Sequence, residues 1–503
     1  MSHTRVLLGG LSVISLLWLP SSAQALTASV RSVEQAKHCD RIDCATAMTV
    51  QVDIADPAGE SNDLSVAVNR DTASGAASLV IVDRLRPVTV GAGCTAQADG
   101  TARCPLPEDR FGNPRVYYSA GGSVYDLGGG DDVMRVGRLN CHADQVRGGT
   151  GNDMIVSDAT NTSCAAVWNG GPGADVASAL GTIVSYADRT AAVTVTAGDG
   201  SDDGEPGEGD DVGVGVSSIQ GGSGNDSLDG HGTVSQLIGG DGDDSLRRAD
   251  NQEGGAGDDR LSDGVNLSGG PGKDRIEVEA GESNLLFGGP GNDMIRGGSG
   301  RDYISGGTGR DRLYGGAGND NLDSEGAAVL DGGPGDDSFT SSYPHGRQEF
   351  VGGAGKDRWW SNRSQPTVWV SLDGRANDGP RGQRDNLLSI EDVSAAQGTL
   401  VGSSRADVLE LTGAGGVIDG RGGDDVIIGR GLLRGGRGHD RITVPIPGPR
   451  RSFLNSSRID AADGARDRIR CYTGFLTSDR ALRLRSLRHD RQDVIVNCVA
   501  RRR

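Results

Sequence analysis

Large apolar residues in this chain mostly come singly, each set among glycines and aspartates at a fixed interval. The repeating unit is G-G-x-G-x-D-x-U-x, where U is a large apolar residue. The clearest copy is Gly288-Gly289-Pro290-Gly291-Asn292-Asp293-Met294-Ile295-Arg296. It continues without a gap through 297–305, 306–314 and 315–323, so that Asp293, Asp302, Asp311 and Asp320 are each nine residues apart. Further copies place Asp153, Asp175, Asp226, Asp244, Asp259, Asp274, Asp337, Asp357 and Asp440 at the sixth position, and looser ones Asp132, Asp407 and Asp425. Among the good copies only Ala177 is small at U; the others carry Ile, Leu, Phe or Trp.

The nonapeptide reads as two halves. Glycines leave the first six residues too little side chain to pack as helix or strand, and suit a turn with positive φ. Pro172, Pro271, Pro290 and Pro334 at the third position fit a fixed turn. The last three residues, x-U-x, form a short strand with U pointing inward. Two nonapeptides make one flattened coil, and coils stack as parallel strands ~4.8 Å apart. Asp293 and Asp311 then fall in one column, and Asp302 and Asp320 in the opposite one. Carboxylates ~5 Å apart repel by about 3 kcal/mol at an effective dielectric of 20. A dication between rungs removes that repulsion. Turn carbonyls complete an all-oxygen shell, which suits calcium better than magnesium. Without His or Cys ligands in the repeats, zinc and copper are poor candidates.

These blocks resemble the hemolysin-type calcium-binding (RTX) nonapeptide repeats, over roughly residues 126–445. The resemblance implies a parallel β-roll with calcium held by the sixth-position aspartates and turn carbonyls of neighbouring coils. The expected ligands are Asp153, Asp175, Asp226, Asp244, Asp259, Asp274, Asp293, Asp302, Asp311, Asp320, Asp337, Asp357, Asp425 and Asp440. Outside 288–323 the motif aspartates are usually 15 to 20 residues apart, about one coil. Most coils are therefore expected to carry calcium on one edge, and only the central block on both. The opposite turns, such as 229–234, are expected to be metal-free. A longer unit recurs at 193–210 and 368–385, each a strand followed by an acidic loop. An extra cation site and a solvated loop are both open readings of it.

Composition supports order held by something other than a large apolar core. Glycine is 83 of 503 residues, aromatics are only 4%, and 69 acids against 50 bases leave a net charge of −19. The periodicity argues against the disorder that such a composition otherwise permits. The fold class expected is all-β: a parallel β-roll or β-solenoid with disulfide-stapled β caps at both ends. The domains expected are a signal peptide at 1–25, an N-terminal β cap at 26–125, the solenoid at 126–445 and a basic C-terminal cap at 446–503. Arg5, the apolar run 6–19 and Ala23-Gln24-Ala25 have the form of an export signal. The apolar run is short for a bilayer span, so no transmembrane anchor is expected. The cysteines fall as close pairs: Cys39 with Cys44, Cys94 with Cys104, Cys141 with Cys164, and Cys471 with Cys498. An even count behind an export signal points to disulfides, with sequential pairing expected. Alternation at 49–54 and 64–68 predicts strands in the N-terminal cap. Arg483, Arg485, Arg488 and Arg491 make the C-terminal segment basic. They fit pairing with acidic coils, with contact to an anionic envelope the alternative.

No catalytic motif stands out. H-E-x-x-H, G-x-S-x-G and a G-K-[ST] phosphate loop are absent. Asp229-Gly230-His231-Gly232-Thr233 imitates a protease histidine motif, but no G-T-S-x-A serine motif accompanies it. The function expected is a secreted, non-enzymatic calcium-binding protein that calcium folds and stiffens outside the cytoplasm, the periplasm being the alternative in a two-membrane bacterium. An adhesin or matrix spacer, and an enzyme acting on polysaccharide from the solenoid face, are the competing readings. The partners expected are calcium ions and an envelope or extracellular polysaccharide, without nucleic acid, for which aromatic platforms are lacking.

Overall fold

Strand after short strand, the chain builds a parallel β-solenoid, with no helix among the described residues of this computed structural model. It describes residues 124–136, 144–157, 166–279, 283–341, 346–361, 367–413, 415–445, 457–472 and 482–500, and before these only Gln97 and the strands within 27–105. The export signal and Cys94, Cys141 and Cys164 lie outside the described residues, as do the side chains of Cys39, Cys44 and Cys104. Two compact units are present: residues 1–154 with 170–172, and residues 155–169 with 173–503.

In the first unit the chain changes from antiparallel to parallel pairing. Thr27–Glu34 runs antiparallel to Met48–Ala55, and Asp63–Arg70 antiparallel to Ala77–Asp83. Val124–Asp126 then lies parallel to Met48–Ala55, and Val133–Val136 parallel to Asp63–Arg70. The strands expected at 49–54 and 64–68 are thus present, and they begin the parallel stacking.

The second unit carries most of the nonapeptides. Its front sheet stacks Ser218–Gln220, Gln236–Asp241, Asn251–Ala256, Asn266–Ser268 and Leu285–Gly291 in parallel register, and continues to Val494–Val496. Its back sheet runs from Thr194–Thr196 through Arg260–Ser262 and Met294–Arg296 to Asn386–Leu388. A third sheet begins at Val368–Ser371 and runs to Ser486–His489. Each coil contributes one inward side chain per sheet. The U residues Leu228, Leu246, Leu261, Ile276, Ile295 and Leu313 stack down the back sheet, at most 1% exposed. Leu267, Leu286, Ile304, Leu322, Phe339 and Trp359 answer them on the front sheet. Such columns bury one side chain per rung against apolar neighbours above and below, which is how a chain so poor in aromatics still forms a continuous core. Gln252 occupies one front-sheet core position, and its amide donates to Ala249 O at 3.2 Å and Ser262 O at 2.7 Å.

The register does not stop at residue 445, where the sequence suggested a change to a cap. Arg441–Pro445 pairs in parallel with Arg468–Tyr472, which pairs in turn with Val494–Val496. Cys471 and Cys498 form the expected disulfide across this end, with Cα atoms 5.3 Å apart.

Candidate metal centre

The sixth-position aspartate ends each glycine turn just before its strand, where the chain bends into the coil interior. Its carboxylate is therefore buried although turns are normally wet. Asp226, Asp244, Asp259, Asp274, Asp293, Asp302, Asp311, Asp320, Asp337, Asp357, Asp425 and Asp440 are all at most 2% exposed, as is Asp153, with Asp175 at 3%.

One interaction repeats at almost every rung: the Oδ1 of each aspartate accepts the main-chain N–H of its counterpart one coil earlier. On the first edge, Asp226 N donates to Asp244 at 2.7 Å, Asp244 N to Asp259 at 2.8 Å, and Asp259 N to Asp274 at 2.9 Å. The series continues from Asp274 N to Asp293 and from Asp293 N to Asp311. On the second edge, Asn284 N donates to Asp302, Asp302 N to Asp320, Asp320 N to Asp337, and Asp337 N to Asp357, all at 2.8–2.9 Å. Glu391 takes the next rung, accepting from Asp357 N at 3.1 Å. Asp407, Asp425, Asp440, Asp467 and Asp493 extend the column. The acids therefore move from one edge to the other along the solenoid. Among the described residues, nonapeptide aspartates face each other across the coil only in the block 288–323. In the first unit Asp132 N donates to Asp153 in the same way, and in the second unit Asp175 N donates to Asp210.

The second carboxylate oxygen has different surroundings. Oδ2 of Asp244, Asp259, Asp274, Asp293, Asp302, Asp320, Asp337, Asp357, Asp425, Asp440 and Asp467 is buried and accepts no hydrogen bond. It looks into a space bounded by carbonyl oxygen: a Cβ placed on Gly288 would collide with both Asp293 Oδ2 and the carbonyl of Gly306, one coil on. Glycine at the first motif position thus keeps open a cradle that any side chain would fill. A buried oxygen without a donor is costly, and more so when charged. Burial, reinforced by the neighbouring acids and opposed by the main-chain N–H, raises the carboxyls of Asp244, Asp274 and Asp337 to about 7 and that of Asp425 to about 8. Asp259, Asp293, Asp320 and Asp357 rise to about 6 for the same leading reason. An array of hard, partly anionic oxygens with no nitrogen or sulfur donor fits calcium, which takes six to eight oxygens in flexible geometry.

Where a column has no nonapeptide aspartate, other side chains fill the edge, and below Gln348 the first column reaches another buried acid, Asp385, which accepts Gln348 N at 2.9 Å. Asn284 heads the second column, its amide donating to Asp302 Oδ1 at 2.9 Å and Gly297 O at 3.4 Å. Below Asp311 the first column passes to Ser324, whose hydroxyl donates to Asp311 Oδ2 at 2.9 Å, and then to Gln348, whose amide donates to Ser324 O at 2.7 Å. In the turn at 229–234, Asp229 accepts from Arg248 and from His231 N, and lies 2.5 Å from Arg247. Burial raises the Asp229 carboxyl, but these partners outweigh it and hold the group below the usual range. The protease-like motif is thus an ion-paired turn, its aspartate committed to arginine.

The two long loops share one construction. Asp203 accepts Thr196 N at 2.7 Å and Val212 N at 2.8 Å; Asp378 accepts Ser371 N at 2.7 Å and Leu387 N at 3.1 Å. Both carboxylate oxygens are occupied, so these aspartates close the loop onto its own backbone. Carboxylate oxygens of Asp199, Asp202 and Asp203 lie within 4.8 Å of one another. The second loop has Asn377 where the first has Asp202.

Glu391, Asp407, Asp467 and Asp493 were not among the expected ligands, yet they stand in the same column. Asp407 and Asp467 sit in decayed repeats with the apolar residue two positions on, Leu409 and Ile469. Glu391 keeps only that last cue, Val393.

The family model for the RTX calcium-binding nonapeptide repeat (4 copies) matches residues 142–161, 213–246 and 287–322. No curated protein matches the chain. The matched segments contain Asp153, Asp226, Asp244, Asp293, Asp302, Asp311 and Asp320, and the same rung geometry runs on through coils that the model does not match. The chain is an all-β parallel solenoid that carries RTX calcium-binding nonapeptide repeats, consistent with a hemolysin-type calcium-binding repeat protein.

Proposed function

We propose that this is a secreted, non-enzymatic protein in which the aspartate columns hold calcium, and that calcium folds and stiffens the solenoid outside the cytoplasm. The observation that carries the reading is the run of buried Oδ2 atoms with carbonyl oxygen for company and no donor. The residues that would hold the ions are Asp153, Asp175, Asp226, Asp244, Asp259, Asp274, Asp293, Asp302, Asp311, Asp320, Asp337, Asp357, Asp425 and Asp440, joined by Asp407 and Asp467, which occupy the same rungs. Calcium supplies positive charge between carboxylates and coordination to oxygens that otherwise lack a partner. Since the unfolded chain presents no such array, binding adds directly to stability. Export is supported by the N-terminal pattern of Arg5, the apolar run 6–19 and Ala23-Gln24-Ala25, and by the Cys471–Cys498 disulfide, a bond of oxidising compartments. A fold that repeats one coil along its length supports a structural role, with a matrix spacer the alternative.

The test is metal content by mass spectrometry on the purified mature protein, with far-ultraviolet circular dichroism in calcium and then in chelator. On the order of ten bound ions and a β signal that falls in chelator are expected. A fully ordered, metal-free protein at neutral pH overturns the reading.

A further inference from the structure

The outer faces of the two long sheets carry different chemistry over the same coils. On the back sheet, cross-strand register puts Arg260, Arg275 and Arg312 in one outward column, with Arg247 and Arg296 in the adjacent one. Their sequence neighbours Leu246, Leu261, Ile276, Ile295 and Leu313 are buried, so alternation turns the arginines to solvent, and all five are exposed. Over the strands from 245–247 to 312–314 Glu277 is the single acid at these outward positions, and the column continues into Asp229 at one end and Asp331 at the other. Five arginines less one glutamate leave a charge of +4 there, within a chain of net −19. The front sheet over the matching strands carries amides, apolar and aromatic residues such as Leu285, Phe287 and Tyr303, and one acid, Glu253, with no cation.

Part of this charge is already engaged. Arg247 meets Asp229 at 2.5 Å, while Glu277 lies 2.7 Å from Arg275 and 3.8 Å from Arg296. Arg260 and Arg312 have no acidic partner among the described residues. Calcium held by the aspartate columns would leave this positive face in place, because it neutralises carboxylates and carries the same sign of charge as arginine.

We propose that this arginine face binds a linear anionic polysaccharide whose carboxylate or sulfate groups lie along the columns. Parallel strands ~4.8 Å apart hold the guanidinium groups in regular rows. Each guanidinium presents a planar fork suited to a carboxylate or sulfate and sheds water more readily than an ammonium group. A charged polymer is the partner that can meet several rows at once, and repeated weak contacts then act together. Single-stranded nucleic acid is a poorer fit, since it needs open aromatic platforms. The aromatic of these rows, Tyr314, is already covered by Arg296, 4.9 Å from its ring centre. Duplex DNA admits a helix or a two-stranded ribbon into its groove, and a broad sheet enters neither groove.

The experiment uses the full chain in a fixed calcium concentration, with immobilised heparin as the sulfated probe and hyaluronan as the carboxylated one. Binding to at least one is expected, and the probe preferred assigns the anionic group. The R260S/R275S/R312S variant should bind about tenfold more weakly or worse, as expected when several charge-assisted contacts are lost. Serine suits the site, because Ser245 stands in the same column directly beside Arg260. The R434S/R441S/R458S variant removes equal charge elsewhere and should keep wild-type affinity. Single variants R260S and R312S, at the arginines without acidic partners, give a graded loss and keep the test decisive if the triple variant misfolds. The proposal is overturned if wild type binds neither glycan, if both triple variants weaken binding equally, or if single-stranded DNA binds more tightly than either glycan.

Discussion

Asp337 offers a substitution whose effect should reverse sign with calcium. Its Oδ1 accepts Asp320 N at 2.8 Å, while Oδ2 is buried without a donor between the charges of Asp320 and Asp357. Burial first, and those neighbours second, lift its carboxyl from 3.8 to about 7. The folded chain therefore holds this proton more tightly than the unfolded chain does. Metal-free stability is greatest at acid pH and falls as pH rises from about 4 through 7. Three units correspond to about 4 kcal/mol lost from one rung by pH 8, against well under 1 kcal/mol at pH 4. Asp337→Asn keeps an acceptor for Asp320 N–H and puts an amide where the bare oxygen stood, as Asn284 does natively. In chelator at pH 8 the variant should be more stable than wild type by about 3–4 kcal/mol, and at pH 4 the two should match. In calcium the order should invert, because the variant has lost an anionic ligand. Urea unfolding followed by circular dichroism, at both pH values with and without calcium, measures all four cells. A variant no more stable than wild type in chelator at pH 8 would refute the reasoning.

Other outcomes follow from the same geometry. In chelator, wild-type protein should lose β signal as pH rises from 5 to 8 and regain it on return to acid or on adding calcium, because carboxyls raised to about 6 to 8 are neutral below that range. Gly288→Ala should cost more than 2 kcal/mol and lower the bound-calcium count, since its Cβ meets Asp293 Oδ2 and Gly306 O. Gly207→Ala has open space and only a positive φ of 94° to pay, about 1–2 kcal/mol in thermal or urea denaturation with calcium content unchanged. Arg248→Ala should weaken the ion-paired turn by about 1–2 kcal/mol equally in calcium and in chelator, because Asp229 keeps Arg247 and His231 N–H. Leu261→Ala, which opens a cavity in the back-sheet column, should cost about 2–5 kcal/mol in either condition, read as an unfolding midpoint.

The sequence by itself determined the coil. Three glycines, an aspartate and one apolar residue per nine positions leave turn, strand and inward side chain no other arrangement, so the buried columns Leu228 to Leu313 and Ile304 to Trp359 were readable in advance. So was the double edge at 288–323, because a strict period of nine alternates sides. The tertiary structure alone decided how coils of unequal length meet. Rung partners are 15 residues apart at Asp244 and Asp259, 20 at Asp337 and Asp357, and 34 at Asp357 and Glu391. Interstrand register sets which residue faces which, and no period in the chain encodes it. For the same reason Asn284, Ser324 and Gln348 gave no sign of closing the columns, Glu391 none of standing in one, and Asp203 and Asp378 none of binding their own backbone. The arginine face belongs here too: its members are scattered along 247–312, and only the stacking of coils gathers them into rows.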